Sequence, residues 1–295
     1  MIRKIILSFS FIIICISASA QYTYGTTGLL NMPTADMQKD KTFLFGGGYL
    51  EKHATPARWF YDTYNYYINI TIFPWMEFAY ICTLHKALKY DPALANGYWI
   101  PSTYGKFVNQ DRNFSVRFRL WKEGWWKPWT PQIVIGGNDV IGDSWNGGSL
   151  TNPSYNKGNG FYNRYYLAAT KHFTFNQLGK LGVHATWIYN KRQDYRLNGL
   201  CMGVNFRFNL KDNGSFINKA INGLNIMAEA YPANGNGMNY VDLKVKHNDR
   251  GVSIGKYDIN IGACYSLWKD RINIYGEMYG CKDFSAGLQF NICLK

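Results

Sequence analysis

Five basic side chains stand out for the company they keep: Arg117, Arg119, Arg207, Lys244 and Lys246. Each takes the alternate position in a segment whose other positions are apolar. Successive side chains of a strand point to opposite faces. Arg117 and Arg119 therefore lie opposite Phe114, Val116, Phe118 and Leu120. Arg207 lies opposite Leu200, Met202, Val204, Phe206 and Phe208. Lys244 and Lys246 lie opposite Val241, Leu243 and Val245. Glu229, Asp242 and Glu277 hold the same parity in their own segments. If the apolar faces meet lipid, these charges line an interior with a basic excess. Charged walls of one sign concentrate the opposite sign. The chemistry expected is retention of an anionic segment in a lumen or its mouth. The alternative is that the charges pair across neighbouring strands, for instance Arg207 with Glu229, and fill a solvated interior.

Other chemistries find little support. The five histidines, His53, His85, His172, His184 and His247, are scattered and form no H-E-x-x-H pair. No metal site and no cofactor are expected. Gly46-Gly47-Gly48 lacks the Lys-Ser/Thr and the helix of a phosphate loop and reads as a place of close strand approach. A lipid hydrolase or acyl-transfer barrel needs a His that meets a Ser. His184, facing inward, and His172, ending a strand, are the candidates, without a G-x-S-x-G elbow to serve either.

Strands must position these residues. The last one, Phe284 to Leu294, is the most regular. Phe284, Ala286, Leu288, Phe290, Ile292 and Leu294 alternate with Ser285, Gly287, Gln289, Asn291 and Cys293. Its length suits a tilted strand crossing a bilayer, which takes roughly 9–11 residues. Similar alternation recurs from Thr42 onward in thirteen segments. Single-chain bacterial barrels have even strand counts, so an all-β, antiparallel transmembrane β-barrel of about 12–14 strands is expected. The tight connections at Pro74 and at Asp270 fall on opposite sides in this count, although both should face the periplasm. One strand is therefore split or missed between them.

The ends agree with a barrel. Arg3 and Lys4, an apolar run from Ile5 to Ile16, and Ala18-Ser19-Ala20 read as a cleaved signal peptide over residues 1–20. Ile14 before Cys15 is too large for a lipid-attachment signal, so no lipid anchor is expected. Residues 21–41 then form an irregular N-terminal segment, and 42–295 the barrel. Aromatics make up 17% of the chain. Four tryptophans, Trp121, Trp125, Trp126 and Trp129, flank one hairpin, as an interfacial girdle requires. The net charge of +13 falls to +11 without Arg3 and Lys4. It points to lipopolysaccharide phosphates or an anionic polysaccharide as partners, with nucleic acid excluded by the compartment. The place expected is the outer membrane of a diderm bacterium, among its lipids and lipopolysaccharide.

Within the irregular segment, Gly25-Thr26-Thr27-Gly28-Leu29-Leu30-Asn31-Met32-Pro33-Thr34-Ala35 resembles the N-terminal signature of the YjbH family. Gly136-Gly137-Asn138-Asp139-Val140-Ile141-Gly142, followed by Tyr165 to Lys171, is similar to that family's glycine-aspartate loop and the strand after it. Gly223 to Tyr231 resembles a later strand ending in Glu-Tyr-Asp, but here the order is Glu229-Ala230-Tyr231-Pro232. The resemblance implies a barrel tied to exopolysaccharide and group-four capsule production, working with other polysaccharide-export proteins. It carries over no catalytic residue. Gly25, Gly28, Pro33, Thr34 and Ala35 are expected to be structural, shaping a turn that docks on or in the barrel. A passive porin-like channel remains as an alternative function.

Overall fold

The computed structural model describes residues 20–21, 23–51, 62–86, 106–141, 163–189, 198–211, 214–232, 253–254 and 257–294. Twelve strands close into an antiparallel barrel. In chain order they are β1 (Thr42–Leu50), β2 (Thr63–Phe73), β3 (Met76–Lys86), β4 (Phe107–Trp121), β5 (Gln132–Ile141), β6 (Arg164–Phe175), β7 (Gly179–Tyr189), β8 (Gly199–Phe208), β9 (Leu224–Pro232), β10 (Tyr257–Leu267), β11 (Ile272–Tyr279) and β12 (Asp283–Cys293). A short helix, α1 (Phe216–Ile221), joins β8 to β9. Each strand pairs with its successor. The ring is sealed where β12 runs antiparallel to β1, from Ala286 opposite Tyr49 to Cys293 opposite Thr42. A closed ring leaves no strand edge to satisfy in lipid.

The alternation seen in the sequence becomes an inside and an outside. In β2, Tyr64, Tyr66, Ile68 and Ile72 are exposed, while Thr63, Asn65, Tyr67, Asn69 and Thr71 are buried. In β12, Phe284, Leu288 and Ile292 are exposed, while Ser285 and Gln289 are buried. Polar side chains buried and apolar ones exposed invert the pattern of a water-soluble sheet. They fit a wall with lipid outside.

The strand expected at 241–245 lies outside the described residues. Strands β9 and β10 pair directly, from Leu224 opposite Tyr265 to Pro232 opposite Tyr257. No stave stands between them, so the thirteen segments reduce to a ring of twelve. This also resolves the connections. Those at 74–75, 122–131, 176–178, 209–223 and 268–271 now share one end with both ends of the barrel. There the Leu294 backbone N–H donates to the Lys41 carbonyl at 2.6 Å. In barrels of this class that end faces the periplasm. Exposed Trp75, Trp125, Trp126, Trp129 and Trp268 ring it, where amphipathic indoles favour the headgroup layer.

The interior is filled by the stretch before β1. Residues 23–35 are buried without interruption. They begin as a tight turn, with Ala20–Gln21 paired against Thr26–Thr27 and Gly25 at φ +66°. A bridge between Gly28 and Pro33 then closes a small loop, and the Leu29 N–H donates to the Met32 carbonyl at 2.9 Å. Leu29, Leu30 and Met32 from this segment pack with inward-facing Leu44, Tyr67, Tyr166, Cys201 and Cys264 to make the apolar core.

Candidate functional site

A buried irregular segment must find partners for its backbone N–H and C=O groups. Here the barrel wall supplies them. Glu229 on β9 accepts three successive backbone N–H groups, those of Leu30 at 3.2 Å, Asn31 at 2.9 Å and Met32 at 2.9 Å. Consecutive N–H groups aimed at one point form an anion-binding concavity, and a wall carboxylate occupies this one. The Asn260 amide adds a fourth donor at 2.9 Å. Glu77 on β3 takes the Thr27 N–H and hydroxyl, each at 2.8 Å, and the Asn69 amide at 2.7 Å.

Two arginines hold the carbonyls. Arg117, fully buried on β4, donates to the carbonyls of Thr27, Thr34 and Asp36. Its Nε lies 3.9 Å from the Glu77 carboxylate. Arg164 at the start of β6 donates to the Asn31 carbonyl, to the Tyr231 hydroxyl at 3.1 Å and to Asn138 Oδ1 at 2.7 Å. Its guanidinium sits 3.4 Å from the centre of the Tyr24 ring, a cation–π stack. Thr186 donates to the Pro33 carbonyl at 2.6 Å, Gln132 to that of Ala35, and Asn69 to that of Gly25 at 2.9 Å.

Glycines make room for this packing. A Cβ at Gly203 on β8 would lie 2.4 Å from Leu29 Cδ1, and one at Gly262 on β10 would lie 2.6 Å from Leu30 Cδ2. Both glycines face inward, so their missing side chains are pockets for the two leucines.

A hydrogen-bonded relay leads from the segment to the periplasmic mouth. The Ala35 N–H donates to Thr170 Oγ1 at 2.9 Å. The Thr170 hydroxyl pairs with His184 Nδ1 at 2.9 Å, and His184 Nε2 with Asn205 Oδ1 at 2.8 Å. The Asn205 amide donates to Asn225 Oδ1 at 2.8 Å. The relay ends at a cavity of about 250 Å³. Asp36 and Met37 of the segment cover one side of it. Arg119, Lys180, Arg207, Asn225 and Asn273 line its walls.

The clasp on the segment's exit is ionic. His172 on β6 lies 3.4 Å from Asp36 and 2.7 Å from Glu123 of the 122–131 hairpin. Glu123 also receives Lys171 Nζ at 2.9 Å and the His172 N–H at 2.8 Å. Burial alone would raise the Glu123 pKa. Hydrogen bonds from the His172 ring and backbone and from Lys171 outweigh it and hold the carboxyl below its ordinary range.

The basic residues singled out from the sequence thus part company. Arg117 is sealed among the backbone carbonyls of the segment. Arg119 and Arg207 line the periplasmic cavity, and Lys244 and Lys246 lie outside the described residues. Arg207 pairs with Asp270, not with Glu229 as cross-strand pairing suggested. The wall applies Glu229 to the segment instead. Gly25, Gly28, Pro33, Thr34 and Ala35 all sit inside the barrel. Sequence reasoning misses Glu77, Arg164 and Gln132. Their inward parity is available, since Glu77 alternates with Phe78 and Tyr80, but only an interior segment gives that parity a purpose. His172 and His184 are each engaged as described, and the Thr170 hydroxyl beside His184 is buried under Ala35.

The chain is 28% identical over 125 residues to the uncharacterized lipoprotein YjbH of Escherichia coli strain K12. That match covers 42% of this chain and only 15% of the relative's length. Among solved structures it is similar to the KdgM porin, with 9% identity and a TM-score of 0.43 over 84% of this chain and 98% of that one. It is similar also to LpxR from Salmonella typhimurium, with 12% identity and a TM-score of 0.38 over 84% and 99% of the two chains. The family described as exopolysaccharide biosynthesis protein YbjH matches residues 20–192. Those residues take in the interior segment and strands β1 to β7, more than half of the chain, and the protein belongs to this YjbH family.

Proposed function

We propose that this outer-membrane barrel is a non-enzymatic component that supports export or surface assembly of an exopolysaccharide or capsule, in company with other polysaccharide-export proteins. The observation that carries the reading is the filled lumen in a chain of an exopolysaccharide family. Thirteen consecutive buried residues in the bore leave the protein organised as a stoppered barrel rather than an open pore. A stoppered barrel suits a part that anchors, admits or releases a polymer on cue. Arg119 and Arg207, which line the cavity at the periplasmic mouth together with Lys180, are the contacts this reading gives to such a polymer. Arg117 serves through the segment it holds.

Deletion of the gene, scored by surface staining and by the composition of shed polymer, tests this. Loss of polymer with normal membrane lipids is the expected result. Unchanged polymer would remove the export reading. The porin-like alternative predicts steady ion conductance from the purified protein in planar bilayers, whereas a filled lumen predicts little.

A further inference from the structure

The cavity at the periplasmic mouth has a charge balance of its own. Two carboxylates line it, Asp36 and Glu123, and both are engaged, with His172 between them and Lys171 on Glu123. Arg207 is engaged with Asp270. Arg119 and Lys180 remain. Both line the cavity; no side-chain hydrogen bond holds either among the described residues, and the Lys180 charge acts on Asp36 and His172 without a close ion pair. They come from different parts of the ring, β4 and β7, so they flank a space rather than a single strand surface.

Two strands from Lys180, across Arg207, the wall offers a directed neutral donor. Asn225 Oδ1 is taken by Asn205, whose own carbonyl is held by His184. The relay therefore fixes the Asn225 amide with its nitrogen left to donate. A volume of about 250 Å³ falls just below the roughly 300–1,000 Å³ of sites for drug-sized ligands, so it suits one small polar unit. Two cations and an oriented amide donor around one cavity match a ligand with an acidic group and a ring hydroxyl.

We propose that this cavity binds one acidic sugar unit, its carboxylate between Arg119 and Lys180 and a hydroxyl accepting from Asn225. The proposal rests on the export reading and deepens it: the barrel would meet an acidic glycan from the periplasmic side, directly beneath the segment that fills its bore. Asp36 shares the cavity, so an occupant would sit against the segment's exit.

The test is calorimetric titration of the full-length protein in detergent micelles with glucuronate, glucose, inorganic phosphate and lipopolysaccharide as separate probes. Glucuronate is expected to bind, and glucose to bind at least about tenfold more weakly, as loss of a charge-assisted contact requires. Arg119→Gln with Lys180→Gln should weaken glucuronate at least about tenfold. The charge-keeping pair Arg119→Lys with Lys180→Arg should retain most of the binding, which separates lost charge from lost folding. Absence of glucuronate binding, or binding indifferent to the Gln pair, overturns the proposal. Phosphate binding as tightly as glucuronate would make the site a simple anion hole and also overturns it. Lipopolysaccharide displacing glucuronate would assign the cavity to a lipid-borne sugar and overturns it as well. Glucuronate binding that survives alongside unchanged polymer in the deletion strain would remove the export reading and leave the sugar site standing. Polymer loss without glucuronate binding would do the reverse.

Discussion

Gly203 and Leu29 fit one another at the limit of contact: a single added carbon on Gly203 would stand 2.4 Å from Leu29 Cδ1. The wall has given up a side chain so that the interior segment can lie against it. Gly203→Val should therefore push the segment from its seat while the lipid-facing side of β8 stays intact. Overpacking of this kind costs about 1–3 kcal/mol. We expect ion conductance to rise in planar bilayers. Leu29→Ala in the same chain should restore the low conductance, because the two changes act on one contact.

Glu229→Gln keeps the shape of the wall but replaces one of its two accepting oxygens with an NH2 donor, which then faces two of the four donors: either the Leu30 and Met32 N–H groups or the Asn31 N–H and the Asn260 amide. Leaving buried donors unmatched costs about 1–3 kcal/mol. Thermal unfolding should move down, and limited proteolysis should reach the bond region 30–32 sooner than in the wild type. Unchanged protection there would show that the carboxylate is not what holds the segment.

Arg117 and Arg119 lie two residues apart on one face, yet they should respond differently. Arg117→Met removes three carbonyl contacts and leaves Glu77 without its nearby cation. Breaking a buried charged pair from one side costs about 3–5 kcal/mol. Arg119→Met removes no contact seen among the described residues and should stay within about 0.5 kcal/mol. Urea unfolding of the two variants in the same detergent checks the contrast.

The Glu123 clasp gives a pH dependence of known sign. Its folded pKa is lowered below the ordinary carboxylate value of 4.5. A group of that kind adds stability above its unfolded pKa and loses it as pH falls through the folded pKa. Wild type should therefore outlast Glu123→Gln at neutral pH, with the difference fading as pH drops below about 4.5. Fluorescence of Trp125, Trp126 and Trp129, which share the hairpin, reports its release.

Much of the wall was legible in the sequence because lipid outside and polar groups inside impose a period of two. Tyr64, Tyr66 and Ile68 against Asn65, Tyr67 and Asn69 announce β2 without any knowledge of its neighbours. At 241–245, outside the described residues, Val241, Leu243 and Val245 alternate as cleanly as any stave, yet β9 pairs directly with β10. Alternation says that a strand is possible, and only the pairing of β9 with β10 says which strands make the ring. The interior segment was legible as a turn, from Gly25, Gly28 and Pro33, but not as a filling. It has no period, and its partners lie on strands as distant in sequence as β3 and β9. Glu77 and Arg164 were unreadable for the same reason, since they tie backbone atoms of the segment to side chains on distant strands, and neither kind of partner carries a local signature in the sequence.

Seven carbonyls and five amides of residues 25–36 are met by wall side chains. The barrel thus behaves as a receptor whose peptide is encoded in its own chain, gripping it by the contour of its main chain and reading its spelling at Tyr24, Thr27, Leu29 and Leu30. Changes at Thr34 or Asn31 that preserve the path of the main chain leave the grip intact. Changes to the receptor's few carboxylates and guanidiniums loosen it wherever they fall.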